Sequence, residues 1–280
     1  MRWIVRGLIA VAGLVVLVLA VVYGGSEWVI RKGHAVPEAR VAIPTDAASI
    51  AEGGRLARVE GCRHCHGPEG QGMVMVDDPM FGRLASPAFA RVAETYSDDE
   101  LVRAIRYGVR KDGSSLWIMP TKAYNHLADD DLGKIIAWIR TLKPSAQDSL
   151  ARTGFGPIGR FLVLTGKLPA SVQTGDHSLA ARPAEVGGYF VGAVCTGCHL
   201  MKGSQPSEDG KQIVPGLLDV APAYDQAAFR TLLKTGQGMS KRDLGLMREV
   251  AQINFAHMTD AEIDAVLAFL KAEQAKAPPQ

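Results

Sequence analysis

Two kinds of hydrophobic pattern run along this chain. Between Arg6 and Glu27 lie 20 residues without a charge, and eleven of those from Leu8 to Val22 are Leu, Ile or Val. This stretch predicts one apolar helix just long enough to cross a bilayer core. Its Leu, Ile and Val residues favour insertion by roughly 3–6 kcal/mol in total. Trp3, Tyr23 and Trp28 stand near its two ends, as an aromatic belt would place them. Further on, the apolar positions recur with helical spacing. Leu132, Ile135, Ile136 and Ile139 follow i, i+3, i+4, i+7, and so do Ile263, Val266, Leu267 and Leu270. Each set predicts an amphipathic helix with one buried stripe.

The second match is one part of an internal repeat. Leu101, Ala104, Ile105 and Gly108 correspond to Phe229, Leu232, Leu233 and Gly236, the glycines reading as helix stops. Trp138 corresponds to Phe269, and Gly54 is paired with Gly187, each eight residues before a cysteine. Ser97 with Glu100, and Thr259 with Glu262, have the spacing of capping boxes. Ala128 stands where the second copy has Thr259, and Asp129 to Asp131 can compensate through the helix dipole. Strand signals are weak. The expectation is an all-α chain: an anchor over 1–30, a linker over 31–46, a helical domain over 47–143, an interdomain linker over 144–183 and a second helical domain over 184–273. Within that linker Ile158, Phe161, Leu162 and Leu164, flanked by Arg160 and Lys167, read as a short helix packing between domains, with a membrane contact as the alternative.

Composition adds the chemistry. The formal net charge of +2 gives no reason to expect nucleic-acid binding. All four cysteines fall in two copies of one motif, Cys62-Arg63-His64-Cys65-His66 and Cys195-Thr196-Gly197-Cys198-His199. Two cysteines three apart on a helical turn reach both vinyl-derived carbons of one porphyrin, and the following histidine faces the iron. The motif reads as covalent attachment of haem c, once per domain. Thioredoxin-like chemistry would need a βαβ context, and zinc would need more ligands than these motifs supply. Haem c is attached on the outer side of the bacterial inner membrane, so the body is expected to be periplasmic on a single-pass anchor. A cleaved signal peptide is the competing reading, for which Tyr23-Gly24-Gly25-Ser26 is a poor cleavage site.

The iron's sixth ligand separates electron transfer from catalysis. Met119 lies 11 residues after Gly108 and Met247 lies 11 residues after Gly236, each expected on an irregular segment before the last helix. Iron ligands are therefore assigned to His66 with Met119, and to His199 with Met247. His126 and His257 also correspond, and read as residues near helix starts, with iron ligation as the alternative.

These residues resemble the class I cytochrome c family in a membrane-anchored two-haem form, over about 47–143 and 184–273. Cys62, Cys65, His66 and Met119, then Cys195, Cys198, His199 and Met247, carry the likeness, and Trp117-Ile118-Met119-Pro120 looks like the family's ligand loop. The second copy departs from it, because no proline follows Met247. The resemblance implies two tandem cytochrome c-like domains and a proline carbonyl that orients each proximal histidine. Pro87 and Pro222 are the candidates. It further implies electron transfer between a periplasmic dehydrogenase or soluble carrier and the respiratory chain, as in the cytochrome subunits of alcohol and aldehyde dehydrogenases. A dihaem peroxidase, or a subunit of a terminal oxidase or other respiratory complex, is the alternative.

Overall fold

The uncharged N-terminal stretch forms α1, Arg2–Arg31, a helix long and apolar enough to cross a membrane. The computed structural model describes residues 2–276 apart from positions 39, 176, 178, 208, 209, 211 and 241. Most of α1 touches no other part of the chain, its large apolar side chains from Trp3 to Val21 being exposed.

The first helical group comprises α2 (Ala47–Val59), α3 (Cys62–His66), β1 (Met73–Asp78), β2 (Gly82–Ser86), α4 (Phe89–Thr95), α5 (Asp98–Tyr107), α6 (Thr121–Tyr124) and α7 (Asp129–Thr141). The segment after it holds β3 (Gly154–Phe155) and α8 (Pro157–Leu164). The second group comprises α9 (Val186–Phe190), a π-helical turn over Val191–Cys195, β4 (Ser204–Pro206), β5 (Ile213–Pro215), α10 (Leu217–Val220), α11 (Gln226–Thr235), α12 (Leu246–Ile253) and α13 (Asp260–Lys276). Helix dominates. The two small antiparallel sheets, β1-β2-β3 and β4-β5, lie in segments with no strand signal, because their partners form short hairpins rather than half-buried strands. All six residues of β1 are exposed, so no alternation marks it.

Capping follows the expected chemistry. Ser97 and Glu100 close a capping box on α5, Thr259 and Glu262 exchange the same two bonds at the start of α13, and Gly108 and Gly236 end α5 and α11 in the left-handed region. Asp131 does more than offset a helix dipole. It is buried, and Arg182 grips it with two bonds of 2.9 Å.

α2 crosses α7 and α9 crosses α13, and the glycine doublets set both crossings. A Cβ on Gly53 would lie 1.8 Å from the Lys134 carbonyl, and one on Gly187 would lie 2.1 Å from the Ala265 carbonyl. Gly54 faces Trp138, and Gly188 faces Phe269. The repeat therefore pairs Gly53 with Gly187, one residue off the sequence pairing of Gly54 with Gly187. The slip comes from the paths into the two motifs. α2 stops and the chain turns at Gly61, with φ of 75°, before Cys62, whereas α9 runs without a break through the π-helical turn to Cys195.

One contiguous apolar core serves both groups, running from Leu56 and Ile139 in the first to Phe190 and Leu270 in the second. A charged seam closes over it. Arg55 donates to Glu262 at 2.7 and 2.8 Å, Arg182 reaches Glu262 at 3.3 Å, and the Tyr189 hydroxyl donates to Asp131 at 2.8 Å. Parts of the 144–183 segment pair with the first group. Ala170 bridges to Trp117, and Leu179 bridges to Ala128. α8 packs on α1 rather than between the two groups, which corrects the favoured sequence reading. Phe161 is exposed, and Arg160 binds Glu27 of α1.

Candidate haem-attachment sites

α3 is a single helical turn that sets Cys62 and Cys65 on one side, with His66 as its last residue. The chain then makes the β1–β2 excursion and returns at Pro87. His66 Nδ1 donates to the Pro87 carbonyl over 2.9 Å. Gly72 holds the return close, since a Cβ there would fall 2.6 Å from the Ala88 nitrogen. Its φ of 73° also suits only glycine well.

The second site has the same construction with a shorter excursion. After Cys195, Cys198 and His199 the chain runs out on β4 and back on β5, and His199 Nδ1 meets the Pro215 carbonyl at 2.8 Å. Pro222, the candidate from the sequence, does not hold this position. It sits in the 3-10 turn Ala221–Ala223. The first hairpin delivers its proline 21 residues after the histidine and the second 16 residues after, so counting from the first copy overshoots. The Val214-Pro215-Gly216 turn was the signal available in the sequence.

In both sites the Nδ1–H bond fixes the tautomer and leaves Nε2 as the nitrogen able to bind a metal. Burial pulls the His66 pKa below its ordinary value, against the opposing bond to Pro87, so the ring is neutral as ligation requires. Burial and the nearby Glu60 carboxylate push the Cys62 thiol up to about 12. The Cys195 thiol rises to about 12 for the same two reasons, burial first. Such protonated thiols are poor nucleophiles and poor redox dithiols. Among the described residues no three His, Cys, Asp or Glu side chains converge as a free-ion site needs.

Met119 and Met247 both pack, half-buried, against the core that also receives Cys62 and Cys195. Their settings differ. Met119 follows Ile118, whose φ of 71° makes it the one non-glycine residue in the left-handed region among those described. For a β-branched residue this is a costly conformation, of order 1–3 kcal/mol, held by its surroundings. Here the restraint comes from the 144–183 segment. Ser171 donates its backbone N–H to Leu116 at 3.0 Å, and the Thr121 hydroxyl donates to the Ser171 carbonyl. Trp117 packs edge-on to Phe155 with centroids 5.3 Å apart. Its Nε1–H is buried without a partner, a donor of the kind a porphyrin propionate accepts. Reading the motifs alone missed Phe155, Ala170 and Ser171, which adjoin this loop from a distant segment. Met247 instead lies in the first turn of α12, not on an irregular segment. Met247, Val250 and Ala251 form the inward stripe of that helix. His126 stacks on His177 at 5.0 Å, and the His257 carbonyl accepts from Arg55.

The residues present fit covalent haem. A neutral imidazole with Nδ1 already bonded, two thiols one turn apart and a thioether packed on the same core are the donor set that c-type haem uses. Comparison with known proteins points the same way. Residues 48–139 match the family described as cytochrome C oxidase, cbb3-type, subunit III. The first helical group is the part of the chain that carries this match. Across most of its length the chain is similar to cytochrome subunits of dehydrogenases. It is 28% identical over 270 residues to the fructose dehydrogenase cytochrome subunit of Gluconobacter japonicus, covering 84% of this chain and 55% of that protein. It is 23% identical over 265 residues to the alcohol dehydrogenase (quinone) cytochrome c subunit of Gluconobacter oxydans (strain 621H), covering 81% and 55%. Against the gluconate 2-dehydrogenase cytochrome c subunit of Pantoea cypripedii it is 23% identical over 266 residues, covering 82% and 60%. The chain thus spans little more than half the length of these relatives.

Proposed function

We propose that this cytochrome carries two haem c groups, one in each of two tandem domains over 47–143 and 184–273, and relays electrons from a dehydrogenase towards the respiratory chain. The observation that carries the reading is the recurrence of one construction in one chain. A Cys-x-x-Cys-His turn is followed by a hairpin whose returning proline carbonyl takes the histidine Nδ1–H, at His66 with Pro87 and again at His199 with Pro215. When bound, haem supplies a one-electron couple at each site. The chain supplies the thiols of Cys62, Cys65, Cys195 and Cys198, and axial ligands from His66 and Met119 and from His199 and Met247. Methionine as sixth ligand raises the potential and closes the iron to substrates, which favours relay over peroxidase chemistry.

Proximity supports transfer between the sites. α6, just after Met119, adjoins the π-helical turn that ends at Cys195. One side chain, Glu60, lies within electrostatic reach of both Cys62 and Cys195. The seam of Arg55, Glu262, Arg182 and Asp131 holds the domains in one arrangement, so the electron path is preset. The helix α1 would hold the domains at the outer face of the bacterial inner membrane, where a dehydrogenase of the class named among the relatives is the donor.

Haem content tests the reading. The protein purified from membranes should carry two haems per chain, and C195A/C198A should carry one while keeping the spectrum of the other. One haem in the unaltered protein would overturn the two-haem reading. Failure of any membrane-bound dehydrogenase from the source organism to reduce either haem would overturn the relay.

A further inference from the structure

We infer that α8 is a second membrane contact, lying in the lipid interface beside the anchor and fixing how the haem domains stand on the bilayer. The inference rests on the reading of α1 as a spanning helix and adds a site to it. The uncharged stretch that begins after Arg6 ends at Ser26, so the outer boundary of the hydrocarbon falls near Tyr23 to Trp28. α8 is joined to that same level. Arg160 Nη1 donates to Glu27 Oε2 at 2.8 Å and to Ser26 Oγ at 3.1 Å, and its guanidinium lies 4.8 Å from the Tyr23 ring centroid. Leu164 approaches so closely that a Cβ on Gly25 would be 2.8 Å from its Cδ1.

With Arg160, Val163 and Leu164 turned towards protein, the other face carries Ile158 and Phe161, 47% and 48% exposed and one helical turn apart. Met80 extends the patch. It is 52% exposed, and its carbonyl accepts from the Ile158 N–H at 2.9 Å. A soluble occupant would have to fit beside a spanning helix, whereas lipid is already there. Two cations suit an anionic headgroup layer: Lys32, beside the Trp28 ring, and Lys167, three residues past α8, are exposed. Pinning Arg160 to Glu27 also neutralises the one cation within the helix and leaves its outer face apolar. Helices of this kind lie in the interface plane with the apolar face turned into the bilayer.

The test is lipid photolabelling of the full-length haem-loaded protein. It would be reconstituted in phosphatidylethanolamine–phosphatidylglycerol vesicles that contain a phospholipid with a diazirine near the glycerol end of its acyl chain. Labelled peptides are then mapped by mass spectrometry. Label is expected within 157–164 as well as within 7–28. Transfer of one such side chain from water to lipid favours the lipid-facing state by roughly tenfold or more, so labelling there should exceed that at the water-exposed Ile213 by about tenfold. In I158E/F161E, whose altered positions are on the surface, the 157–164 label should fall to the Ile213 level while the anchor stays labelled and the haem spectrum is unchanged. Label in 7–28 without label in 157–164 overturns the inference and leaves the anchor intact. Label in neither segment overturns the anchor and the inference with it.

Discussion

Glu60 places a pH-dependent weakness in the middle of this molecule. The residue is 5% exposed, and neither carboxylate oxygen has a hydrogen-bond partner. Desolvation pushes its pKa up to about 8, the charge of Asp131 adds to this, and Arg182 opposes it. Unfolded, the carboxyl titrates at its ordinary value near 4.5. The native state therefore holds a proton that the unfolded state releases. The stabilisation from this proton is complete below about pH 4.5 and is lost as pH rises to about 8, above which no further loss occurs. At 1.36 kcal/mol per unit, the separation corresponds to a ceiling of about 5 kcal/mol, of which about 3.5 kcal/mol falls between pH 5 and pH 8. Glu60→Gln is nearly isosteric and cannot titrate. The assay is urea denaturation of the detergent-solubilised haem protein at both pH values, following the haem band and far-ultraviolet dichroism. The unaltered protein should lose about 3.5 kcal/mol more than E60Q between the two conditions. Parallel pH profiles for the two proteins would refute the reasoning, since Glu60 would then be ionised and solvated in the native state.

Other outcomes follow from particular contacts. Met119→Ala should lower the potential of one haem and let its ferrous iron bind carbon monoxide, read by redox titration and by the shift of the Soret band. An unchanged potential with no carbon monoxide adduct would remove Met119 from the ligand set. Arg182→Ala leaves the buried Asp131 with Tyr189 and a 3.6 Å contact to Lys134, and should cost about 3 kcal/mol in the same denaturation assay. A loss below about 0.5 kcal/mol would mean the seam does not hold the two helical groups together. Gly53→Ala puts a methyl 1.8 Å from a backbone carbonyl and should cost at least about 3 kcal/mol, whereas Gly24→Ala, with open space around it, should be silent.

The sequence by itself determined which chemistry this protein carries and much of its local structure. The paired Cys-x-x-Cys-His motifs, the apolar run from Gly7 to Ser26, the amphipathic stripes of α7 and α13, and the caps at Ser97, Thr259, Gly108 and Gly236 are all local. Each depends on residues within a few positions of one another, where periodicity and capping chemistry are legible. What only the tertiary structure decided depends on distances that spacing does not encode. Pro215 rather than Pro222 meets His199 because the length of a hairpin, not an offset from the first copy, sets where the chain returns. Gly53 rather than Gly54 matches Gly187 because a helix crossing registers on backbone contact, and the doublet in the sequence allows either choice. The loop of Met119 is braced by Ser171, and Asp131 is claimed by Arg182, each about 50 residues away. α8 packs on α1 rather than between the two helical groups because Arg160 meets Glu27, a partner 133 residues earlier. Contacts of that range arise from the packing of whole elements, and a pattern along the chain carries no record of them.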